Sequence, residues 1–131
     1  MIALDTNVLV RFLVEDDPAQ SARARRLIEK AVETDDACFV SDIAMCETVW
    51  VMQSCYRVAR KEIAKALRTL LTARNVAFAS ADQLARALDA FASGRGDFAD
   101  YLIREHARAA GCTAVATFDR TLLKEPGFAA P

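Results

Sequence analysis

The sequence lacks the features that would place a protein in or across a membrane. No apolar run reaches the roughly 20 residues of a membrane-spanning helix. The N-terminus carries neither the basic segment nor the small-residue cleavage site of a secretory signal. These absences predict a cytoplasmic protein.

Potential zinc ligands are also scarce. The chain has one histidine, His106, and no C-x-x-C pair, so the spacing of a zinc site is absent. His106 falls near an apolar helix face, and we expect it to be partly buried and hydrogen-bonded rather than a general base. Apolar neighbours predict buried, reduced thiols for all four cysteines, which are Cys38, Cys46, Cys55 and Cys112.

No linker, internal repeat or low-complexity run divides the 131 residues. A chain of this length is expected to form a single domain, residues 1–131, with its own core. The composition, 53% hydrophobic and 27% charged, excludes general disorder. The net charge of −1 argues neither for nor against nucleic acid, because binding depends on local patches.

Short apolar segments alternate with segments of helical periodicity. The apolar segments predict strands at residues 2–4, 37–40, 76–79 and 112–118. The intervening segments predict helices, of which one starts at Pro18 and another is capped by Ser41 or Asp42. This alternation is typical of an α/β fold, here a three-layer α/β/α domain with a central, mostly parallel sheet of four to five strands. No clear strand follows Asp119, so the fifth strand is left open.

Acidic residues stand near the ends of the predicted strands. Asp5 follows the first strand and Asp119 the fourth, while Asp97 and Asp100 begin the helix before that strand. Glu47 is the only formally charged residue in IAMCETVWVMQSCY, a helix that is apolar on opposite faces and is expected to be largely buried. Taken singly, each acid has an ordinary explanation as a helix cap, a turn residue, or a glutamate that reaches water or an ion pair.

Together these acids indicate a metal site. Parallel strands direct their carboxyl ends to one edge of the sheet, where ligands bind in folds of this class. Carboxylates gathered there would repel one another, and a divalent cation would relieve the repulsion. An all-oxygen ligand set suits Mg²⁺ or Mn²⁺ rather than zinc. Such ions activate water for phosphodiester cleavage.

Four short motifs occur in a specific order: D-T-N after the first strand, a lone glutamate inside an apolar helix, G-x-G-D-F-A-D-Y-L-I, and A-T-F-D after a late strand. With these motifs the chain resembles the PIN-domain ribonucleases, and among them most closely the VapC-type toxins of prokaryotic toxin–antitoxin pairs. The resemblance implies a catalytic, metal-binding quartet of Asp5, Glu47, Asp100 and Asp119. It adds Asp97 as a further metal ligand and leaves open how Asp97 and Asp100 divide the contact. It also implies hydrogen bonds that orient the carboxylates, from Thr6, Asn7 and Thr117.

The activity implied by this resemblance is that of a Mg²⁺-dependent endoribonuclease, in which Mn²⁺ can substitute. Metal-activated water would cleave RNA and leave 3′-hydroxyl and 5′-phosphate ends. The resemblance further implies a homodimer that acts as the toxin of a type II toxin–antitoxin system. Its partner would be a small antitoxin protein that blocks the acidic cleft.

Two basic runs are candidates for holding RNA phosphates. One lies between Arg57 and Arg74 and includes a single acid, Glu62. The other consists of Arg23, Arg25, Arg26 and Lys30. The alternative for each run is the solvated face of an amphipathic helix.

Arg120 is the strongest candidate for a substrate contact, because it adjoins Asp119. Aromatic platforms for stacking bases are not evident in the sequence. Phe12, Trp50 and Phe118 are instead expected to lie in the core.

Two other functions compete with the nuclease. One is a catalytically inactive PIN-like domain that binds RNA or protein, and metal-dependent cleavage would distinguish it. The other is a haloacid-dehalogenase-like phosphatase, which also places an aspartate after its first strand. That chemistry needs a second acid two residues later, where this chain has Asn7.

Overall fold

Helices form where apolar residues recur with helical spacing, and strands form where short apolar runs separate them. The computed structural model describes all residues, 1–131. In chain order the elements are β1 (Ile2–Ala3), α1 (Thr6–Val14), α2 (Pro18–Glu33), β2 (Cys38–Val40), α3 (Asp42–Ser54), α4 (Arg60–Leu71), β3 (Val76–Phe78), α5 (Ala81–Ser93), α6 (Phe98–Ala109), β4 (Val115–Ala116), a 3₁₀ turn (Leu122–Lys124) and β5 (Phe128–Ala129).

Every strand pair is parallel, and the predicted α/β fold with a layered parallel sheet is confirmed. Three strands form one sheet in the order β1-β2-β3, with Ile2 opposite Cys38 and Cys38 opposite Val76. A fifth strand does form, and it pairs with β4 in a separate two-stranded sheet. Within the second sheet the amides of Val115 and Thr117 donate to the carbonyl oxygens of Gly127 and Ala129, both at 2.9 Å.

The first strand is less buried than its sequence predicts. Leu4 is buried, but Ile2 is 54% exposed and Ala3 is exposed as well. The prediction of a buried strand at residues 2–4 is therefore wrong for its first two residues. The physical reason is that β1 is an edge strand, paired with β2 on one side alone.

Helix starts follow the capping signals in the sequence. Pro18 is the first residue of α2, and the side chain of Asp17 accepts the N–H of Gln20 at 3.1 Å. Ser41 caps α3, because its Oγ accepts the N–H of Ala44 at 3.1 Å. The choice between Ser41 and Asp42 is thus settled for Ser41. None of the helices combines the length and apolarity that a membrane crossing requires.

One face of α3 is open to solvent although its residues are apolar. The opposite face packs into the core through Met45, Val49 and Met52. Ile43 is 72% exposed and Trp50 is 62% exposed, and Glu47 lies on the same face. The expectation of a largely buried helix is therefore wrong for this face, because no other element of the chain covers it.

Two of the three aromatic side chains expected in the core lie outside it. Trp50 is exposed on α3, and Phe118, just after β4, is 89% exposed. Both predictions are wrong, because each side chain projects from an uncovered face or loop. Phe12 is half-buried and packs against the core, as predicted.

The cysteines are all free, as predicted, but they are not all buried. Cys38 is buried in β2, and Cys46 is half-buried in α3. Cys55 and Cys112 are exposed, which makes their predicted burial wrong. Each of these two residues follows the end of a helix, where the chain turns at the surface.

Candidate active site

Asp5 lies where the chain leaves β1 and enters α1. Its backbone carbonyl oxygen accepts the amides of Val8 at 3.1 Å and Leu9 at 3.2 Å. Its side chain makes no capping hydrogen bond and is exposed. The structural explanation as a helix cap therefore accounts for the backbone of Asp5 but not for its carboxylate.

Glu47 and Asp5 border the same cavity. This cavity measures about 360 Å³ and is also lined by Thr6, Asn7 and Arg11. The Thr6 hydroxyl donates to Oε2 of Glu47 at 2.7 Å, which fixes one oxygen of that carboxylate. The end of β1 and the exposed face of α3 thus bring two of the predicted acids together, with Thr6 holding one of them.

Asp97 and Asp100 open α6 together. The amide of Asp97 donates to Oδ2 of Asp100 at 2.9 Å, which is half of a capping box. The amide of Asp100 donates in turn to the backbone carbonyl oxygen of Asp97 at 3.0 Å. Asp100 is half-buried and Asp97 is exposed. The helix start therefore uses one oxygen of Asp100 and leaves Oδ1 without a hydrogen bond in the chain.

Asp119 is held in a tight turn after β4. Its amide donates to Oγ1 of Thr117 at 3.0 Å, and its Oδ1 accepts the amide of Thr121 at 2.8 Å. Thr117 thus positions the backbone of Asp119 rather than its carboxylate. The neighbouring Arg120 is exposed and belongs to no ion pair.

Asp100 has an unfavourable environment for a negative charge. Burial raises its pKa above the usual range, and the nearby carboxylates of Asp97, Asp119 and Glu125 act in the same direction. The hydrogen bond from the Asp97 amide opposes this shift. Three acids thus lie within electrostatic reach of Asp100, and the α6 start and the β4 end belong to one acidic group.

Glu125 is an acid that the sequence analysis missed. Its Oε1 accepts the Tyr101 hydroxyl at 2.7 Å and the amide of Arg95 at 3.1 Å. Burial and Glu125 together raise the pKa of Tyr101. Glu125 follows a 3₁₀ turn in an irregular segment, so no periodicity or strand end singled it out.

The two glycines of G-x-G-D make room for Tyr101. A Cβ atom at Gly94 would lie 2.0 Å from the Tyr101 hydroxyl oxygen. One at Gly96 would lie 2.6 Å from Leu122 and 3.2 Å from the Tyr101 ring. The amide of Gly96 also donates to the Tyr101 hydroxyl at 2.9 Å. The motif therefore packs the buried tyrosine, and Asp97 follows directly from this fixed loop.

Arg11 is a second residue that the sequence analysis missed. Its Nη1 donates to Asp16 at 2.7 Å and to the Tyr56 hydroxyl at 3.1 Å, and its Nε donates to Gln20 at 2.6 Å. The Tyr56 hydroxyl donates to Asp16 at 2.6 Å. This hydrogen bond from Tyr56, with the bond and charge of Arg11, lowers the pKa of Asp16. Arg11 and Tyr56 line the cavity that holds Asp5.

Several residues of the two basic runs serve the fold. Arg60 donates to the carbonyl oxygens of Phe91, Arg95 and Gly96. Arg68 pairs with Asp89, and Arg25 pairs with Glu15. Those three arginines are therefore engaged within the chain. The other arginines of these runs, Arg23, Arg26, Arg57 and Arg74, form no ion pair.

His106 joins α6 to the start of α3. Its Nε2 lies 2.8 Å from Oδ2 of Asp42. The imidazole is exposed, so the prediction of partial burial is wrong, while the expected hydrogen bond is present. A histidine on the surface of α6 meets its partner across the helix contact, which the spacing within α6 alone does not reveal.

The acids of the candidate site lie in two groups. We call Asp5 and Glu47 the Asp5 group. The Asp100 group consists of Asp97, Asp100, Asp119 and Glu125. No ion pair of the chain involves any of these residues. No three His, Cys, Asp or Glu side chains stand close enough to form a complete protein ligand set for a metal ion.

The ligand chemistry of these acids nevertheless fits magnesium. Mg²⁺ usually keeps several waters and takes one or two carboxylates together with substrate phosphates. Asp5 and Glu47 face one cavity, and one oxygen of Asp100 is without a hydrogen bond. The donors are all carboxylate oxygens, which are ligands for Mg²⁺ or Mn²⁺ rather than zinc.

In this parallel α/β fold, Asp5 follows β1 and Asp119 follows β4. The sequence profile of the PIN domain matches residues 2–128. The chain therefore belongs to the PIN domain family, whose members are generally nucleases. A search of curated proteins found no significant match to the chain.

Proposed function

We propose that this protein is a Mg²⁺-dependent endoribonuclease, with Mn²⁺ as a substitute for Mg²⁺. The observation that carries the proposal is the uncompensated charge of the Asp5 and Asp100 groups, none of whose carboxylates is paired with a cation of the chain. Carboxylates that lie near one another without a counter-charge repel, and a bound cation relieves that repulsion. Membership of a family of nucleases supports the same conclusion.

The residues divide into ligands and positioning groups. Asp5, Glu47, Asp100 and Asp119 would hold the metal, with Asp97 as a further ligand. When bound, the ion would supply activated water and would stabilise charge on the phosphodiester. Thr6 holds the Glu47 carboxylate, and Thr117 holds the turn at Asp119. Asn7, which faces the cavity beside Asp5, would orient the carboxylates, and Arg120 would contact the RNA.

The toxin role and the partners belong to the same proposal. Exposed apolar side chains on α3 and α6, two helices that pack together, support a homodimer formed through Ile43, Trp50 and Ile103. A small antitoxin would bind over the acidic edge and block access to it. The activity would then be that of a type II toxin, acting in the cytoplasm.

The test is cleavage of RNA by the purified protein. Total RNA is incubated with Mg²⁺, with EDTA, and with Asp5→Asn or Glu47→Gln under Mg²⁺. Glu62→Gln is the matched control, because Glu62 is an exposed glutamate in the first turn of α4. The proposal is supported if RNA fragments form with wild type and Glu62→Gln in Mg²⁺, and do not form in EDTA or with Asp5→Asn or Glu47→Gln. Equal fragments in every lane would contradict it.

One observation favours a second candidate, a catalytically inactive PIN-like domain that binds RNA or protein. The Asp5 and Asp100 groups do not form a complete metal-ligand cluster within the chain. A protein in which they never act on one ion would bind RNA without cleaving it. Binding of RNA by wild type, with no cleavage of any RNA under Mg²⁺ or Mn²⁺, would decide for this function.

A further inference from the structure

We propose that the groove between α1 and α2 holds the RNA strand that leads to the acidic site, with its phosphates on Arg11, Arg23 and Arg26. The proposal rests on the proposed function, because it gives the path of that function's substrate. It names a single-stranded RNA backbone as the ligand.

The groove is continuous with the cavity of the Asp5 group. That cavity shares Asp5, Asn7 and Arg11 with a cavity of about 450 Å³ between α1 and α2. The second cavity shares Arg23 and Leu27 with a third, of about 570 Å³, along the outer face of α2. Since neighbouring cavities share walls, a chain lying in them passes from the carboxylates onto the arginines of α2.

The arginines on this path are available to an anion. Arg23 and Arg26 are exposed and form no ion pair in the chain. Arg11 is held rigidly by Asp16, Gln20 and Tyr56, yet its Nη2 makes no hydrogen bond. A guanidinium group with a fixed orientation and a free donor is suited to a phosphate oxygen.

The floor and the far end of the groove define the ligand further. The cavity between α1 and α2 has an aliphatic wall of Val8, Ala24 and Leu27, against which the apolar faces of unpaired bases can pack. Beyond Arg26, Glu29 and Glu33 enter the lining beside Lys30 and reduce the positive charge. The basic part of the path therefore extends from Arg11 to Arg26 and ends on the outer face of α2.

Arg25 provides a matched control on the same helix. It is exposed like Arg23 and Arg26, but it pairs with Glu15 and lines none of the three cavities. Its replacement by alanine removes the same charge from α2 without touching the groove. A difference between the variants therefore reports the position of the charge rather than its sum.

The experiment measures binding of a short, fluorescent single-stranded RNA of mixed sequence, by anisotropy, under Mg²⁺. Every protein carries Asp5→Asn so that the probe stays intact. Loss of one phosphate contact should weaken binding about fourfold near physiological salt and reduce the slope of log K against log salt by about 0.7. We expect this for Arg23→Ala and for Arg26→Ala but not for Arg25→Ala, with recovery in Arg23→Lys and Arg26→Lys.

The outcomes separate this proposal from the proposed function. Equal RNA affinity of Arg23→Ala, Arg26→Ala and Arg25→Ala would overturn the groove, even if the wild-type protein cleaves RNA. The groove would then be open to a protein partner instead. Absence of RNA binding by the Asp5→Asn protein with all its arginines intact would also overturn the groove proposal. Position-dependent loss of binding would support the groove, even if the wild-type protein proves unable to cleave RNA.

Discussion

The contact between Gly94 and Tyr101 gives the sharpest prediction for the loop that precedes Asp97. In Gly94→Ala the new Cβ would lie 2.0 Å from the Tyr101 hydroxyl oxygen and 2.7 Å from the carbonyl oxygen of Ala90. The phenol must move away. It then loses the hydrogen bond from the Gly96 amide, 2.9 Å, and the one it donates to Glu125, 2.7 Å.

The magnitudes follow from these contacts. Overpacking of this kind costs about 1–3 kcal/mol, and each hydrogen bond that is lost adds about 1 kcal/mol. Gly94→Ala should therefore destabilise the fold by about 3–5 kcal/mol. Tyr101→Phe removes the hydroxyl and its two hydrogen bonds, and it leaves the Gly96 amide unpaired at a cost of about 1–3 kcal/mol.

The double variant reveals whether the clash is with the hydroxyl. In Gly94→Ala/Tyr101→Phe the hydroxyl is lost once, so the combined cost should be about 1–2 kcal/mol below the sum of the single costs. Some strain remains, because the same Cβ would lie 2.8 Å from Cζ of Tyr101. Gly111→Ala is the control, since no heavy atom lies within 4 Å of its Cβ and its φ of +90° alone makes alanine unfavourable there.

The assay is urea unfolding followed by circular dichroism. Fluorescence is less suitable, because the one tryptophan is exposed in the folded state. Gly111→Ala and Tyr101→Phe should be additive. If Gly94→Ala and Tyr101→Phe are additive as well, the glycine is not there to accommodate the tyrosine hydroxyl, and the account of this motif is refuted.

Three further predictions concern single side chains. The pKa of the Asp100 carboxyl is raised, so its charged form destabilises the fold at neutral pH. Asp100→Asn should therefore raise the melting temperature of the metal-free protein at pH 7, and the gain should vanish below about pH 4. A lower melting temperature of the variant at pH 7 would contradict this. Burial, with Asp42 and Glu47, raises the pKa of Cys46 to about 11, so iodoacetamide at pH 8 should label Cys55 and Cys112 first; mass spectrometry showing Cys46 labelled as fast would disprove it. Trp50→Glu should convert the proposed homodimer to a monomer in light scattering, and a variant that keeps the mass of a wild-type dimer would remove α3 from the interface.

The helices could be predicted well because their signals are local. Pro18 and Ser41 act through their own backbone neighbourhoods, and α1 begins at the residue after Asp5 as expected. The parallel direction of the first three strands also follows from the alternation of strands and helices. Sequence pattern was sufficient to predict the structure wherever a residue's contacts lie within its own helix or strand.

The division of the sheet and the exposed face of α3 could not be predicted in this way. Ile2 and Trp50 have the composition of core residues, and only the tertiary arrangement leaves them uncovered. Phe118 is similar, because β4 pairs with β5 and does not continue into the main sheet. Hydrophobic pattern reports what a side chain prefers, and it does not say whether another element is present to cover it.

The acidic residues of the candidate site could be predicted from the sequence, whereas the residues that surround them could not. Asp5 and Asp119 were visible as charges directly after apolar strands. Arg11 and Glu125 were not visible, because each makes a contact with a residue that is distant in sequence: Arg11 meets Tyr56 across 45 positions, and Tyr101 meets Glu125 across 24. Contacts of this kind depend on packing between elements, which no local spacing encodes.

The central claim is that acids from the Asp5 group and the Asp100 group act on one metal site. The direct measurement is titration of Mn²⁺ into wild type, Asp5→Asn and Asp119→Asn, followed by electron paramagnetic resonance of the free ion. We predict binding by wild type and a matching loss of affinity in both variants, with Glu62→Gln unchanged. Wild-type affinity in both variants, or an effect of one variant alone, would contradict a shared site.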